Sequence, residues 1–177
     1  LEICGFDGTK PVLLQMGGSL GAVKLNDALR ESLPSLLKDF DIIHLCGKGH
    51  KEESLEGTKG YRQFEYVTDE LADLFAATDV IIARAGSNSI SEFLALKKPH
   101  LLIPLSAKAS RGDQILNAAS YEKQGFAMVL PEEELTAATM EEKVRELYAN
   151  RETYIAAMEK STQNNGVEAV MSLIRQF

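Results

Sequence analysis

The sequence predicts a single α/β domain built on a doubly wound, mostly parallel, six-stranded Rossmann-like sheet. Short apolar runs recur along the 177 residues, and most are followed by a longer segment with helical periodicity. Four of these runs are almost continuously apolar rather than alternating, which is typical of strands buried on both faces of a sheet. Strands that alternate with helices form βαβ units with right-handed crossovers, so a layered sheet with helices on both faces follows.

The elements follow one another in a regular order along the chain. Strands are predicted at residues 11–16, 41–46, 61–66, 79–83, 100–104 and 127–130. Helices are predicted at about 20–38, 69–77, 89–96, 113–124, 139–148 and 165–177. Residues 1–10 contain no clear element, so we expect a linker or an arbitrary boundary there and one domain over residues 11–177.

Charge and composition exclude several classes of protein. The formal net charge of −7 argues against a nucleic-acid binder, because a phosphate backbone requires clustered Lys and Arg side chains. Cys4 and Cys46 lack the spacing of metal ligands, so we expect reduced cysteines and no metal site. No apolar run approaches the roughly 18 residues that a membrane span needs. A protein that binds a small phosphorylated molecule remains compatible with all of these features.

The first candidate binding loop, residues 17–22, follows the first strand. In a doubly wound sheet, ligands bind beyond the carboxyl ends of the strands, where the strand order reverses. Gly18 permits close backbone approach, and Ser19 can cap the next helix or donate to a phosphoryl oxygen. A tight strand-to-helix turn explains the loop equally well. No Gly-Lys-Ser/Thr follows, and the second strand does not end in a carboxylate, so a P-loop and a dinucleotide site are disfavoured.

The second candidate loop follows the fourth strand and leads into a helix predicted to begin near Ser89, with Glu92 in its first turn. Free N–H groups and the positive helix end suit phosphate there, so we expect Glu92 to face hydroxyl groups instead. Ser89-Ile-Ser-Glu92 also fits a capping box, in which Glu92 folds back to its own helix start. Both interpretations stay open. The candidate binding residues of this loop are Arg84, Gly86, Ser87, Asn88, Ser89 and Glu92.

The third candidate loop follows the fifth strand and opens a helix at Asp113. Asp113 is expected to cap this helix, with Gln114 beside it and Asn117 one turn later on roughly the same face. An Asp and a Gln side by side suit bidentate hydrogen bonding to vicinal hydroxyls of a sugar. A helix start with a solvated face accounts for the same residues equally well.

The sequence contains few residues in arrangements that are typical of catalytic sites. His44 lies inside an apolar strand and is expected to be packed in the core, while His100 begins a strand at the opposite edge. His50 lies in a charged loop and is expected to be simply exposed. No Gly-x-Ser-x-Gly elbow and no metal-binding cluster appears. We therefore expect no catalytic residue, no metal and no cofactor in this chain.

Taken in order, the three loops resemble the donor-binding half of the MurG-type family of GT-B glycosyltransferases. The resemblance covers about residue 11 to the end and is carried by residues 17–22, 25–26, 83–92, 98–99, 102–104, 113–114 and 117–118. It implies inverting transfer of N-acetylglucosamine from UDP-N-acetylglucosamine to a polyprenyl-pyrophosphate-linked acceptor, lipid I, forming lipid II in peptidoglycan synthesis. It also implies an acceptor site and a catalytic base on an N-terminal domain, and a cytoplasmic protein peripheral on the inner face of the bacterial membrane, which the full-length protein contacts.

The resemblance also implies a role for each candidate residue. Ser19 and Ser89 would face the UDP diphosphate, Glu92 the ribose hydroxyls, and Asp113 with Gln114 the N-acetylglucosamine hydroxyls. Residues 64–71 resemble the family's uracil-binding stretch.

In that stretch, main chain at Val67 would read the base edge and Leu71 would pack on it. The stretch is one residue longer here than in the usual pattern, so Thr68 can replace Val67 in that role. The longer run at 106–112, and Asp113 where some members have Gln, leave open another UDP-sugar-dependent GT-B transferase. A UDP-sugar-binding epimerase-like domain, and an interaction domain whose loops are only caps, also stay open.

Overall fold

A computed structural model describes residues 6, 8–16, 22–47, 49, 51–65, 71–105 and 112–161. The described strands form one sheet in which every pairing is parallel. They are Val12–Met16 (β1), Asp41–Leu45 (β2), Tyr61–Phe64 (β3), Val80–Ala83 (β4), His100–Leu102 (β5) and Ala127–Val129 (β6). The helices are Ala22–Leu36 (α1), Leu71–Ala77 (α2), Ser87–Leu96 (α3), Asp113–Lys123 (α4), Ala137–Ala149 (α5) and residues 151–161 (α6). The predicted fold class is confirmed.

The strand order β3-β2-β1-β4-β5-β6 creates a single reversal between β1 and β4. The chain builds outward from β1 to β3 and then returns to place β4 on the other side of β1. Met16, at the end of β1, is paired in register with Ala83, at the end of β4. The carboxyl ends of these two strands therefore lie side by side, at the position where doubly wound folds bind ligands.

Two apolar layers cover the sheet, one on each face. On one face, Leu13 and Ile42 pack under α1 and α5; on the other, Leu14 and Ile43 pack under α2, α3 and α4. Successive strand residues point to opposite faces, so burial on both sides requires the near-continuous apolar runs seen in the sequence. The central strands β1, β2 and β4 are therefore buried at almost every position.

Most predicted elements are found within about two residues of their expected bounds. The helix α5 begins earlier than predicted because Thr136 caps it: its side chain accepts from the Thr139 N–H, and the Thr139 hydroxyl accepts from the Thr136 N–H. The helix predicted at 165–177 and most of residues 1–10 lie outside the described residues. Within the described ranges, every helix is too short or too polar to cross a bilayer.

Candidate functional site

The helix α3 begins at Ser87, two residues before the predicted start, with the extended Gly86 as its N-cap. The first helical hydrogen bond runs from the Ile90 N–H to the Gly86 carbonyl at 3.0 Å. Ser89 is therefore the third residue of the helix, and Glu92 lies in its second turn. The predicted first-turn position of Glu92 and the capping box are both wrong, because a capping Ser must precede the helix and Ser89 lies within it.

The first turn of α3 presents a set of unused backbone donors. The N–H groups of Ser87, Asn88 and Ser89 have no acceptor among the described residues, and no side chain caps them. A Cβ placed on Gly86 would meet no atom within 4 Å, so the space in front of the helix end is open. Three convergent N–H groups at the positive end of a helix dipole form an arrangement that binds phosphate.

Glu92 lies one turn farther along α3. Its side chain is exposed and makes no hydrogen bond or ion pair with the described residues. With the capping interpretation removed, its carboxylate is free to accept hydrogen bonds from a ligand. Negative charge one turn away from a phosphate site is better matched to hydroxyl groups than to the phosphate itself.

Arg84, at the end of β4, turns its side chain into the protein. It is 5% exposed, and its guanidinium donates to the Ile103 carbonyl at 3.1 Å and to the Glu132 carboxylate at 3.2 Å. Burial lowers the pKa of Arg84, and the Glu132 carboxylate opposes that shift. Lys24 also donates to the Glu132 carbonyl at 2.7 Å, so Glu132 links α1 to the end of β4. Sequence reasoning missed Glu132, which lies 48 residues from its partner.

Gln114 and Asn117 hold the backbone of Ala85, the residue before the α3 N-cap. The Gln114 Oε1 accepts from the Ala85 N–H at 3.2 Å and from the Leu105 N–H at 3.0 Å. The Asn117 side-chain amide donates to the Ala85 carbonyl at 3.0 Å. Gln114, a predicted sugar ligand, and Asn117, a further candidate binding residue, therefore also hold the backbone that leads into α3.

Asp113 is the first residue of α4 rather than its cap. The N-cap is Gly112, whose φ of 84° lies in the left-handed region that glycine adopts without strain. The predicted capping role of Asp113 is wrong, since no side chain makes a cap hydrogen bond here. The Asp113 carboxylate is exposed at the helix start, without a hydrogen bond to the described residues, and can accept from a ligand.

A buried polar cluster joins α1, β2 and β3. Asn26 donates to the Cys46 carbonyl at 2.9 Å, which turns its Oδ1 toward the His44 Nε2 at 2.7 Å. The Nε2 therefore carries the proton, and the His44 Nδ1 accepts from the Tyr61 hydroxyl at 2.7 Å. Burial, with a smaller effect from nearby Arg30, lowers the pKa of His44 to about 3. His44 is thus a neutral core residue, as predicted.

The remaining predicted residues are placed as follows. His100 is buried at the start of β5, at the opposite end of the sheet, as predicted. Leu71 begins α2, and its partly buried side chain packs against the apolar layer on that face of the sheet. Gly18, Ser19, Val67 and Thr68 lie outside the described residues. Across the described ranges, no three His, Cys, Asp or Glu side chains are grouped to hold a metal ion.

The sequence was compared with protein families and with curated proteins. The model of the glycosyltransferase family 28 C-terminal domain matches residues 12–174. A UDP-N-acetylglucosamine–N-acetylmuramyl-(pentapeptide) pyrophosphoryl-undecaprenol N-acetylglucosamine transferase from Lachnospira eligens is 55% identical over 99% of this chain and 49% of its own length. The transferase of the same name from Geobacillus thermodenitrificans is 57% identical over 98% of this chain and 49% of its own length.

A solved structure shows the same fold. The crystal structure of Acinetobacter baumannii MurG matches with a TM-score of 0.75 and 24% identity, over 99% of this chain and 52% of that one. The chain spans about half the length of the curated relatives it matches. The family match over residues 12–174 and the identity to these relatives lead to one conclusion: the chain belongs to glycosyltransferase family 28 and carries its C-terminal domain.

Proposed function

We propose that the chain is the donor-binding half of an inverting N-acetylglucosaminyltransferase. In this proposal, the whole enzyme moves N-acetylglucosamine from UDP-N-acetylglucosamine to lipid I and forms lipid II in peptidoglycan synthesis. The observation that carries the proposal is the amino end of α3 at the switch point of the sheet, where three N–H groups have no acceptor among the described residues. The printed names of relatives at 55% and 57% identity support the choice of donor and acceptor.

The amino end of α3 is the proposed diphosphate site. The N–H groups of Ser87, Asn88 and Ser89 would hold the phosphoryl oxygens, together with Gly18 and Ser19 from the neighbouring loop and the open space at Gly86. As the bond from the anomeric carbon to the diphosphate breaks, negative charge grows on the departing UDP. Fixed N–H donors and the helix dipole stabilise that charge in the transition state without having to reorganise.

Glu92 is the proposed ribose ligand. Its exposed carboxylate has no competing partner among the described residues and lies one turn beyond the phosphate donors. Two vicinal ribose hydroxyls can donate to one carboxylate, and charged hydrogen bonds of this kind are the strong ones. The uracil would then lie against the start of α2, where Leu71 packs on the base and the main chain of Val67 or Thr68 reads its edge.

The start of α4 is the proposed sugar site, and the hydrogen bonds already formed there fix what each side chain can do. The Gln114 Oε1 is occupied by two backbone N–H groups, so Gln114 can offer the sugar only its NH₂ donor. The Asn117 amide nitrogen is engaged with Ala85, which leaves its Oδ1 as an acceptor. Asp113 adds a carboxylate acceptor. The three together complement adjacent hydroxyls, which both donate and accept.

Arg84 has a positioning role in this scheme, because its guanidinium is engaged with Ile103 and Glu132 behind the loop.

The acceptor site and the catalytic base would lie in the other half of the enzyme, since the relatives are about twice as long as this chain. We infer a cytoplasmic enzyme, peripheral at the inner face of the membrane that holds its lipid acceptor. This chain alone should bind the donor and transfer nothing.

Calorimetric titration of the chain with UDP-N-acetylglucosamine, UDP-glucose, UDP and NAD tests the proposal. We expect binding of UDP and of UDP-N-acetylglucosamine, weaker binding of UDP-glucose, and none of NAD. A preference for UDP-glucose would assign the chain to another UDP-sugar transferase, a possibility that Asp113 keeps open. Absence of heat with every uridine compound, or sugar transfer by the chain alone, would refute the proposal.

A further inference from the structure

We propose that Gln114 and Asn117 are positioning residues for the phosphate-binding end of α3, acting through the backbone of Ala85. This inference rests on the function proposed above. It gives Gln114 and Asn117 a role in phosphate binding, in addition to their proposed contacts with the sugar. It predicts that changes on α4 alter the affinity for UDP itself, which lacks the N-acetylglucosamine that α4 is proposed to contact.

Gln114 and Asn117 form a clamp, by which we mean their hydrogen bonds to the backbone of Ala85 and Leu105. Ala85 is buried, and each of its backbone polar groups is satisfied by a side chain of α4: its N–H by Gln114 and its carbonyl by Asn117. Gln114 extends the clamp to the Leu105 N–H, at the start of the loop after β5. Two side chains one turn apart on a single helix thus fix Ala85 by two hydrogen bonds and Leu105 by a third.

The direction of these hydrogen bonds is set by chemistry. Both partners of Gln114 at Oε1 are backbone N–H donors, so the carboxamide oxygen must face them and a flipped amide would leave two donors against its NH₂. The Asn117 partner is a carbonyl, so the amide nitrogen must face it. The clamp therefore uses the carboxamide oxygen of Gln114 and the amide nitrogen of Asn117, and the other polar atom of each side chain is not part of it.

The position of the clamp connects it to phosphate binding. Ala85 lies directly before Gly86, and the N–H groups that the site uses begin one residue later, at Ser87. On the other side of Ala85, Arg84 is fixed by Ile103 and Glu132. Rotation of the Ala85 peptide would turn the first turn of α3 away from its ligand. Donors that are already held in place need not be ordered when the ligand binds, so the affinity for the ligand is higher.

Three single variants separate positioning from general stability. Gln114→Met keeps the length of the side chain and removes the acceptor. Gln114→Glu keeps an oxygen that accepts both N–H groups, and its charge is compatible with the amino end of α4. Leu116→Ala is the matched control, because this side chain lies on the same turn and is 70% exposed. UDP affinity is measured by calorimetry on each folded variant, and amide hydrogen exchange is followed at Ala85 and Leu105.

We expect Gln114→Met to weaken UDP binding by about threefold to tenfold, the effect of roughly one lost hydrogen bond. Exchange at Ala85 and Leu105 should become faster in the same variant. Gln114→Glu should keep both amides protected, and Leu116→Ala should match the unchanged chain in both measurements. Gln114→Met binding UDP as the unchanged chain does, even with a lower melting temperature, would show a merely structural role and overturn the inference. Unchanged exchange at Ala85 and Leu105 in Gln114→Met would overturn it too. If the unchanged chain binds no uridine compound, the proposed function itself fails, and the inference fails with it.

Discussion

Lowering the pH from 7 to 5 should destabilise the fold through two buried histidines, His44 and His100. Burial lowers the pKa of His44 to about 3 and that of His100 to about 4, against an ordinary value of 6.5. Between these values the unfolded chain takes up protons that the folded chain does not bind. Stability is therefore fully present above about pH 6.5 and is lost progressively as the pH falls toward 4 and then 3.

The size of the effect follows from the same values. At pH 5 the unfolded state of each histidine gains about 2 kcal/mol from protonation, because 1.36 kcal/mol applies to each pH unit below its ordinary pKa. The folded state gains almost nothing at that pH. The two residues together should lower the free energy of unfolding by about 4 kcal/mol, a large part of the roughly 5–15 kcal/mol typical of a domain.

Urea unfolding at pH 7, 6 and 5 measures this loss of stability, and one variant isolates the contribution of His100. His100 lies between the rings of Phe93 and Tyr121, with centroids 5.2 and 5.9 Å away, so His100→Phe places a ring without a titrating group in an aromatic pocket. The variant should lose about 2 kcal/mol less than the unchanged chain between pH 7 and 5. Contributions from carboxylates cancel in that difference. Parallel pH profiles for the two proteins would refute the reasoning.

Three further predictions concern single side chains. Glu92→Ala should weaken UDP binding by about tenfold or more, through lost charged hydrogen bonds, and leave the melting temperature unchanged because Glu92 has no partner among the described residues. A variant that lost stability but bound UDP normally would count against the ribose assignment. Arg84→Met should cost about 2 kcal/mol in urea unfolding, because the partly buried Glu132 and the Ile103 carbonyl lose their donor. An unchanged unfolding midpoint would contradict a stabilising effect of these contacts. Thr136→Ala should cost about 1 kcal/mol through loss of the α5 capping box without changing UDP affinity, which makes it a control for effects of stability on binding.

The fold could be predicted because its main signal is local. A strand buried on both faces is apolar at most positions, and Ile42, Ile43, Ile81 and Ile82 show this within their own short runs. Helices with one apolar face alternate with these runs, so the element order and the parallel sheet follow. The described candidate residues Arg84, Ser87 and Asp113 follow the carboxyl ends of β4 and β5, as predicted, since the topology alone decides that edge.

The start of α3 was misplaced because its sequence signals compete. Ser87, Asn88 and Ser89 all suit a helix start, and Gly86 is acceptable as an N-cap. Tertiary packing decides between them. The core needs Ile90 and Phe93 on the same face of the helix against the sheet, and the helix that presents them begins at Ser87. Local propensity contains no information about that contact.

The interior contacts of the site depend on residues that are far apart in sequence. Gln114 lies 29 residues from Ala85, and no spacing rule connects a carboxamide on one helix with a backbone N–H on another loop. The residue type of Gln114 suggested a sugar ligand, but only the structure shows that one of its two polar groups is already used. The polar cluster around His44 did carry a signal, because a histidine within an apolar strand needs buried partners.

The central claim is that the amino end of α3 holds the diphosphate of a UDP-sugar. Nuclear magnetic resonance of the ¹⁵N-labelled chain during titration with UDP tests it most directly. The account predicts that the amide signals of Ser87, Asn88 and Ser89 move together with a single affinity, and that UDP-N-acetylglucosamine additionally moves those of Asp113 and Gln114. Saturable binding that leaves the α3 amides unmoved and shifts signals elsewhere, such as along α5, would contradict the claim.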